Sequence, residues 1–379
     1  ASTMSIRTTH VGSLPRPADL LADLIAEDRG EPVEPDLMAA RLADAVEDAV
    51  ARQVAAGVDI VSDGEMSKFS YTAYLRHRLS GFAPAAEPSA LPADLATFPG
   101  VAADLEATEE TAAQRLACTG PVAVKDRTPL QEDLRNLRAA VAAHRPHGAF
   151  MNAASPGVAA LFMPDRHYGD EDAYLAALAD VLRDEYGAIV NAGFDLQIDA
   201  PDLAMGRHTG WKDADLATFR RAVGRNVAVL NAATAGIPAE RMRLHLCWGN
   251  YPGPHTHDVA LDEILDLILG VRPRALLFEA ANPRHAHEHA VWAARRAEVP
   301  EDMVLVPGVI DTNTNGVEHP ELVAERLLRF TAIVGRERVM AGTDCGFATI
   351  AARPPVHPDL VWEKLAAQRA GADLAASRA

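Results

Sequence analysis

The sequence predicts an α/β fold, a (β/α)8 TIM-type barrel with an excursion at about 82–130. Two observations carry this. Short apolar runs alternate with amphipathic stretches nearly throughout, and repeated βα units imply a parallel sheet covered on both faces. Almost every apolar run also ends in a polar or reactive residue, and barrels of this kind gather their chemistry at the C-terminal ends of the strands. At 379 residues, one catalytic domain over 1–379 is the simplest reading.

The runs follow in order. Strands are expected at 8–12, 58–61, 121–124, 150–153, 194–199, 243–247, 275–279, 304–306 and 339–341. That is one too many for the barrel. Residues 121–124 are assigned to the excursion, where Pro and Ala are frequent and periodicity is weak. Helices are expected at about 37–56, from near Asp170 to a C-capping Gly193, and at 213–234, 258–269, 285–297, 319–334 and 358–377. A doubly wound open sheet is the alternative, but no G-x-G-x-x-G or P-loop sits at any strand–helix turn.

Composition narrows the partners. A net charge of −17 argues against nucleic acid or an anionic membrane surface. No apolar run approaches the roughly 20 residues that span a bilayer. The start has neither the charged nor the apolar region of a signal peptide, and reads as an appended segment ahead of Met4. Cys118, Cys247 and Cys345 are too few and scattered for a disulfide framework, so a reducing cytoplasm is the expected setting. Small-molecule substrates are the expected partners, and a homo-oligomer is compatible with the sequence.

The strand ends carry Ser13, Asp63 and Glu65, Asp199, His245 and Cys247, Glu279, Asp311 and Asn313, and Asp344 and Cys345. The sharpest local signal is His245-Leu246-Cys247. In a strand, residues two apart share a face, so imidazole and thiolate can point at one centre, a pairing that suits zinc. Glu279 and Cys345 are natural third and fourth ligands. Three anionic ligands make a weak Lewis acid, better at holding a thiolate nucleophile than at activating water. Taken alone, His245 and Cys247 could equally be core residues. The Pro- and Gly-flanked pair His255 and His257 reads as a loop. His285, His287 and His289 read as a solvated helix, and Cys118 as structural. Lys68, Lys125 and Arg127 are cations near strand ends that could serve as anion clamps.

Together these motifs resemble the catalytic barrel of the cobalamin-independent methionine synthase family. The matching stretches are T-T-H-V-G-S-L-P from Thr8, D-G-E from Asp63, Q-I-D-A-P from Gln197, H-L-C from His245, F-E at Phe278, P-G-V-I-D from Pro307 and D-C-G from Asp344. They run in family order from residue 8 to about 350. The resemblance implies a single barrel without the family's second one. It implies zinc (Zn2+) on His245, Cys247, Glu279 and Cys345, Ser13 against the carboxylate of homocysteine, and Glu65 and Asp199 against its amino group. Alkyl transfer, methyl above all, from a donor to a small thiol is the implied reaction. A related branch adds coenzyme M to epoxides, and the opening motif and the segment 63–68 resemble it at least as well. There a cation, Lys68, Lys125 or Arg127, would hold the sulfonate. Three positions depart from the synthases: Ala200 replaces a Glu, Phe162 falls where a Trp stacks the pterin, and Asn313 occupies the place of a proton-donating His. With Asn313 there, His10 or His319 would have to supply the proton to a departing folate nitrogen.

Overall fold

In the computed structural model, residues 5–85, 92–106, 114–349, 351–352 and 354–379 are described. Six parallel strands form a curled sheet in the order β1 (Ile60–Val61), β4 (Gly148–Ala154), β5 (Asp195–Asp199), β6 (Met242–His245), β7 (Ala275–Phe278) and β8 (Val304–Pro307). Two extended segments join the sheet's free edges. Ile60 donates its N–H to Thr8 O, Thr9 donates to Ala341 O, and Met340 donates to Leu305 O. Parallel bridges pair Thr8 with Ala341, Leu305 with Val339 and Gly308 with Gly342. Eight chain segments therefore run round one barrel.

The surplus strand lies where the sequence places it. β3 (Leu116–Val124) pairs antiparallel with β2 (Leu79–Pro84), outside the main sheet. β2 escapes sequence reading because Gly81 and Pro84 weaken its strand signal and its residues are mostly half-buried, so no clean alternation shows.

Helices cover the barrel much as the periodicity predicts. One spans Pro35–Ala55 with Pro at its start. Another spans Glu171–Asn191, capped by the Asp170 side chain, which accepts from Asp172 N–H. Gly193 takes φ 96° just past its end, the left-handed conformation expected of a helix stop. Helices at Leu216–Ala233, Pro320–Val334 and Pro358–Arg378 also match. Two expected helices are mostly replaced. The stretch 258–269 holds only a 3-10 turn at Leu261–Glu263 and a short helix at Leu265–Ile268, and 285–297 is α-helical only at His289–Ala294. Their polar side chains are used for buried tertiary bonds instead, which compete with helix formation.

The barrel interior is unusually polar below its C-terminal rim. Arg243 is buried with its guanidinium 3.9 Å from the centre of the Phe150 ring. It donates to Gln197 Oε1 at 2.8 Å, Thr9 Oγ1 at 3.0 Å and His10 O at 2.6 Å. Gln197 in turn donates to Asp199 Oδ1 at 2.8 Å, and Asn152 donates to Asp199 Oδ2 at 3.0 Å. The network is continuous from the barrel floor to a carboxylate at its rim, which it fixes in orientation.

Candidate active site

The polar strand ends converge on a pocket of about 360 Å³ at the barrel's C-terminal mouth. Ser13, Glu65, Asp199, His245, Cys247 and Cys345 all line it. Strand register explains part of this: Asp199 pairs with His245 across β5 and β6, so their side chains project at the same level.

His245, Cys247 and Cys345 offer ligand atoms within 4.8 Å of one another, and all three residues are buried. The sulfurs of Cys247 and Cys345 are 3.7 Å apart, and no disulfide joins them. His245 Nδ1 lies 3.3 Å from Asp199 Oδ1, while its Nε2 is buried with no hydrogen-bond partner. Burial alone would depress this imidazole, but Cys345 and Asp199 hold it up at about 10. Pairing with Cys247, and the His245 charge after it, bring Cys345 down to about 5 despite burial. Cys247 is pushed up by the same pairing and by burial.

Glu279 stands beside this trio rather than in it. Its carboxylate accepts from Trp248 N–H at 2.9 Å and from the Asn282 amide at 3.0 Å. Burial raises it to about 7, with His285 opposing and Cys345 adding to the rise. The turn after it is anchored by buried Asp344, which accepts from the N–H groups of Ala280, Ala281 and Asn282.

Glu65 enters the pocket from a left-handed backbone at φ 58°, next to Gly64 at φ 70°. For a non-glycine residue this costs on the order of 1–3 kcal/mol. Asp63 Oδ1 accepting from Glu65 N–H, and Arg16 donating to the carbonyl of Glu65, pin it there. Burial, and the neighbouring Asp199 charge after it, raise Glu65 to about 7 against the pull of Lys68 and Arg16. Ser13 Oγ accepts from Ala348 N–H at 3.2 Å. A Cβ on Gly346 would sit 1.9 Å from that oxygen, so only glycine leaves the Ser13 hydroxyl its place.

The other sequence candidates separate clearly. Of the three cations, Lys68 alone lines the pocket; its Nζ donates to Asn152 O at 2.8 Å. Lys125 and Arg127 are exposed, and Arg127 pairs with Asp184, so neither clamps a pocket anion. Asn313 does not line the pocket; its backbone N–H donates to Asp311 Oδ1 at 2.9 Å. His10 is sealed in the barrel below. Its Nδ1 accepts from Gly12 N–H, its Nε2 faces Gln53 Oε1 at 2.6 Å, and burial pushes it down to about 4. His319 is an exposed helix cap. Phe162 forms part of the rim and is 40% exposed. Cys118 is buried away from the pocket.

Sequence reading passes over Asn152, Arg16 and Tyr71, which also line the pocket. Asn152 had a signal, a lone amide inside the apolar run F-M-N-A. It also misplaces one histidine. His285 is 3% exposed, not solvated: its Nε2 is 2.9 Å from Asp258 and its Nδ1 2.5 Å from Glu288. His255 lies in a loop, as expected, and is buried there, with Nδ1 3.0 Å from Asp258 Oδ1. His208, His255 and Asp258 form a second group of ligand-type atoms.

The family model described as the catalytic domain of cobalamin-independent synthase matches residues 165–361. The methionine synthase of Sulfolobus acidocaldarius is 24% identical over 342 residues, covering 89% of this chain and 85% of that protein. The 2-hydroxypropyl-CoM lyase of Xanthobacter autotrophicus is 26% identical over 143 residues, 32% of this chain and 38% of that one. Among solved structures, a B12-independent methionine synthase from Shewanella sp. W3-18-1, in complex with selenomethionine, superposes with a TM-score of 0.74 at 20% identity, covering 99% of each chain.

Proposed function

The chain belongs to the family of the cobalamin-independent synthase catalytic domain, and from that premise we propose that it transfers an alkyl group, methyl in the first reading, to the sulfur of a small thiol such as homocysteine, with zinc as cofactor. The observation that carries this is the juxtaposition, in one pocket, of an unpartnered buried imidazole nitrogen and two adjacent sulfurs with a pair of carboxylates and a hydroxyl.

The donor set fits the metal. A buried imidazole nitrogen without a partner and two adjacent cysteine sulfurs suit zinc by softness and charge. His245, Cys247 and Cys345 would hold it, and Glu279 is the proposed fourth ligand. Bound there, zinc would keep a substrate thiol ionised at neutral pH. Asp199 orients His245 through Nδ1, the usual role of a carboxylate behind a metal-binding histidine. Glu65 and Asp199 would receive the substrate ammonium, each charge offsetting the other's desolvation. Ser13 would receive its carboxylate. We take residues 1–379 to act as one catalytic domain in the cytoplasm; among the described residues no helix is long and apolar enough to cross a membrane.

The second reading is addition of a thiol to an epoxide. It is favoured by the partial similarity to 2-hydroxypropyl-CoM lyase and by the position of Asn313 outside the pocket. Of the three cations expected for a sulfonate, Lys68 is the one that lines the pocket. A screen of thiols against alkyl donors with zinc-loaded protein, read by mass spectrometry of the alkylated thiol, tests both. Alkylation of homocysteine supports the first reading. Protein that carries zinc and alkylates no thiol with any donor overturns both.

A further inference from the structure

Alkyl transfer leaves an electron pair on the donor's departing atom, and a positioned acid that protonates it lowers the barrier. The histidines and amide that the sequence offered for this are outside the pocket or sealed beneath it. What the pocket wall does hold is a phenol. Tyr71 opens the helix Tyr71–Arg78, and its ring stacks on Phe162 with centroids 6.3 Å apart and planes inclined by 17°.

The Tyr71 hydroxyl has no hydrogen-bond partner among the described residues, whereas neighbouring hydroxyls are engaged. Ser70 Oγ accepts from Ala73 N–H and pairs with Thr72. Thr349 Oγ1 accepts from the Asn250 amide, and Ser13 Oγ from Ala348 N–H. Burial keeps this phenol un-ionised, above its usual range. A phenol held in this way keeps its proton at neutral pH and yields it only to a strong base.

The geometry points to Tyr71 as the catalytic residue that donates a hydrogen bond, and then a proton, to the electrophile's departing atom, and to an electrophile that departs as an oxygen anion, such as an epoxide. This rests on the alkyl-transfer reading of the same pocket and narrows its donor class. The substrate sulfur, ionised by loss of its proton to solvent, attacks carbon. The C–S bond forms as the C–O bond breaks, the bonding pair stays on oxygen, and oxygen takes the Tyr71 proton. The phenolate then recovers a proton from water, so the thiol and epoxide atoms are all found in the hydroxyalkyl thioether. A sulfonium donor differs, because its sulfur leaves as a neutral thioether and needs no proton.

The test compares Tyr71→Phe with wild type in the zinc-loaded full chain, using epoxypropane and S-methylmethionine as donors. Phenylalanine keeps the stacking on Phe162, so the fold and zinc content should not change. The kcat with epoxypropane should fall roughly 10²–10⁴-fold, the usual worth of general-acid help. The KM for the thiol and any turnover with the sulfonium should not move. No loss with the epoxide, or equal loss with both donors, overturns the role of Tyr71 and leaves alkyl transfer standing. Wild-type turnover with the sulfonium alone overturns the oxygen-leaving class. Wild type that alkylates no thiol with either donor overturns the alkyl-transfer reading along with it.

Discussion

Two groups of ligand-type side chains lie back to back in this molecule, joined through the backbone of Trp248. Its N–H donates to Glu279 on one side, and its carbonyl faces His208 Nε2 at 2.7 Å on the other. By residue type both could bind a metal. They differ in what their donor atoms are already doing. In the pocket, His245 Nε2 is unpartnered and the cysteine sulfurs lie chiefly against each other. Behind it, Asp258 is shared by His255 and His285, and His285 is also held by Glu288. His208 Nε2 is spent on Trp248 O, leaving only its Nδ1 free. Apart from His208 Nδ1, this second set of donors is satisfied by its own members and by the Trp248 carbonyl, and has little to gain from an ion. The first group is therefore poised for a ligand, and the second is a buried charge network that locks the loops behind it.

The largest expected effect would break that contrast if it failed. Cys247→Ser and Cys345→Ser should each abolish most zinc binding, whereas His285→Asn should leave metal content near one per chain. Elemental analysis of zinc-replete preparations decides this, and metal loss in all three variants would erase the distinction.

Stability should show the reverse pattern. Asp258→Asn removes the anion shared by buried histidines and should cost about 3–5 kcal/mol, the usual penalty for breaking a buried ion network. Denaturant unfolding at fixed zinc concentration measures it, and a change near zero would show that the network is not a structural lock.

Within the pocket, Glu65→Gln and Asp199→Asn should each weaken binding of an amino-acid thiol by about 1–3 kcal/mol, the cost of an unpaired buried group. They should do much less to a thiol without the amine. Calorimetric titration with a matched pair of thiols reads the difference, and equal losses would remove the ammonium from the assignment.

The smallest effect sharpens the comparison by pH. Burial would depress His285, but Asp258 and Glu288 raise it from 6.5 to about 10. A histidine raised in the folded state stabilises fully below its unfolded value and loses that contribution as pH rises through the folded one. The stability gap between wild type and His285→Asn should thus shrink between pH 6.5 and about 10. A gap that stays flat over that range would mean the imidazole is buried neutral.

How much of this was readable beforehand depends on how local the cause is. The β-then-α alternation and the strand-end positions of Ser13, Asp199, His245 and Cys345 follow from short-range patterning, and the structure brings them into one pocket. The excursion strand at 121–124 was legible for the same reason, while its partner β2 was hidden by Gly81 and Pro84. His285 was misread because a helical spacing says nothing about a carboxylate 27 residues earlier in the chain, and Asp258 supplies just that. Tyr71 was missed because its place in the wall comes from the packing of its helix against Phe162, which no spacing in the sequence encodes. Motif order located Glu279 but could not show that its carboxylate is tied to Trp248 and Asn282.

The way the barrel closes bears on when the proposed metal site becomes complete during synthesis. Cys345 follows Cys247 by 98 residues, and Ala348, which donates to Ser13 Oγ, follows Ser13 by 335. A growing chain emerging from the ribosome presents His245 and Cys247 well before Cys345 has been made. An ion met at that stage finds only part of the donor set, in a pocket whose first and last walls have not joined. Full ligation waits on contacts of the longest sequence separation, which are also the slowest to form. The proposed four-ligand site is therefore complete only after residue 345 has been made and the first and last walls of the barrel have met.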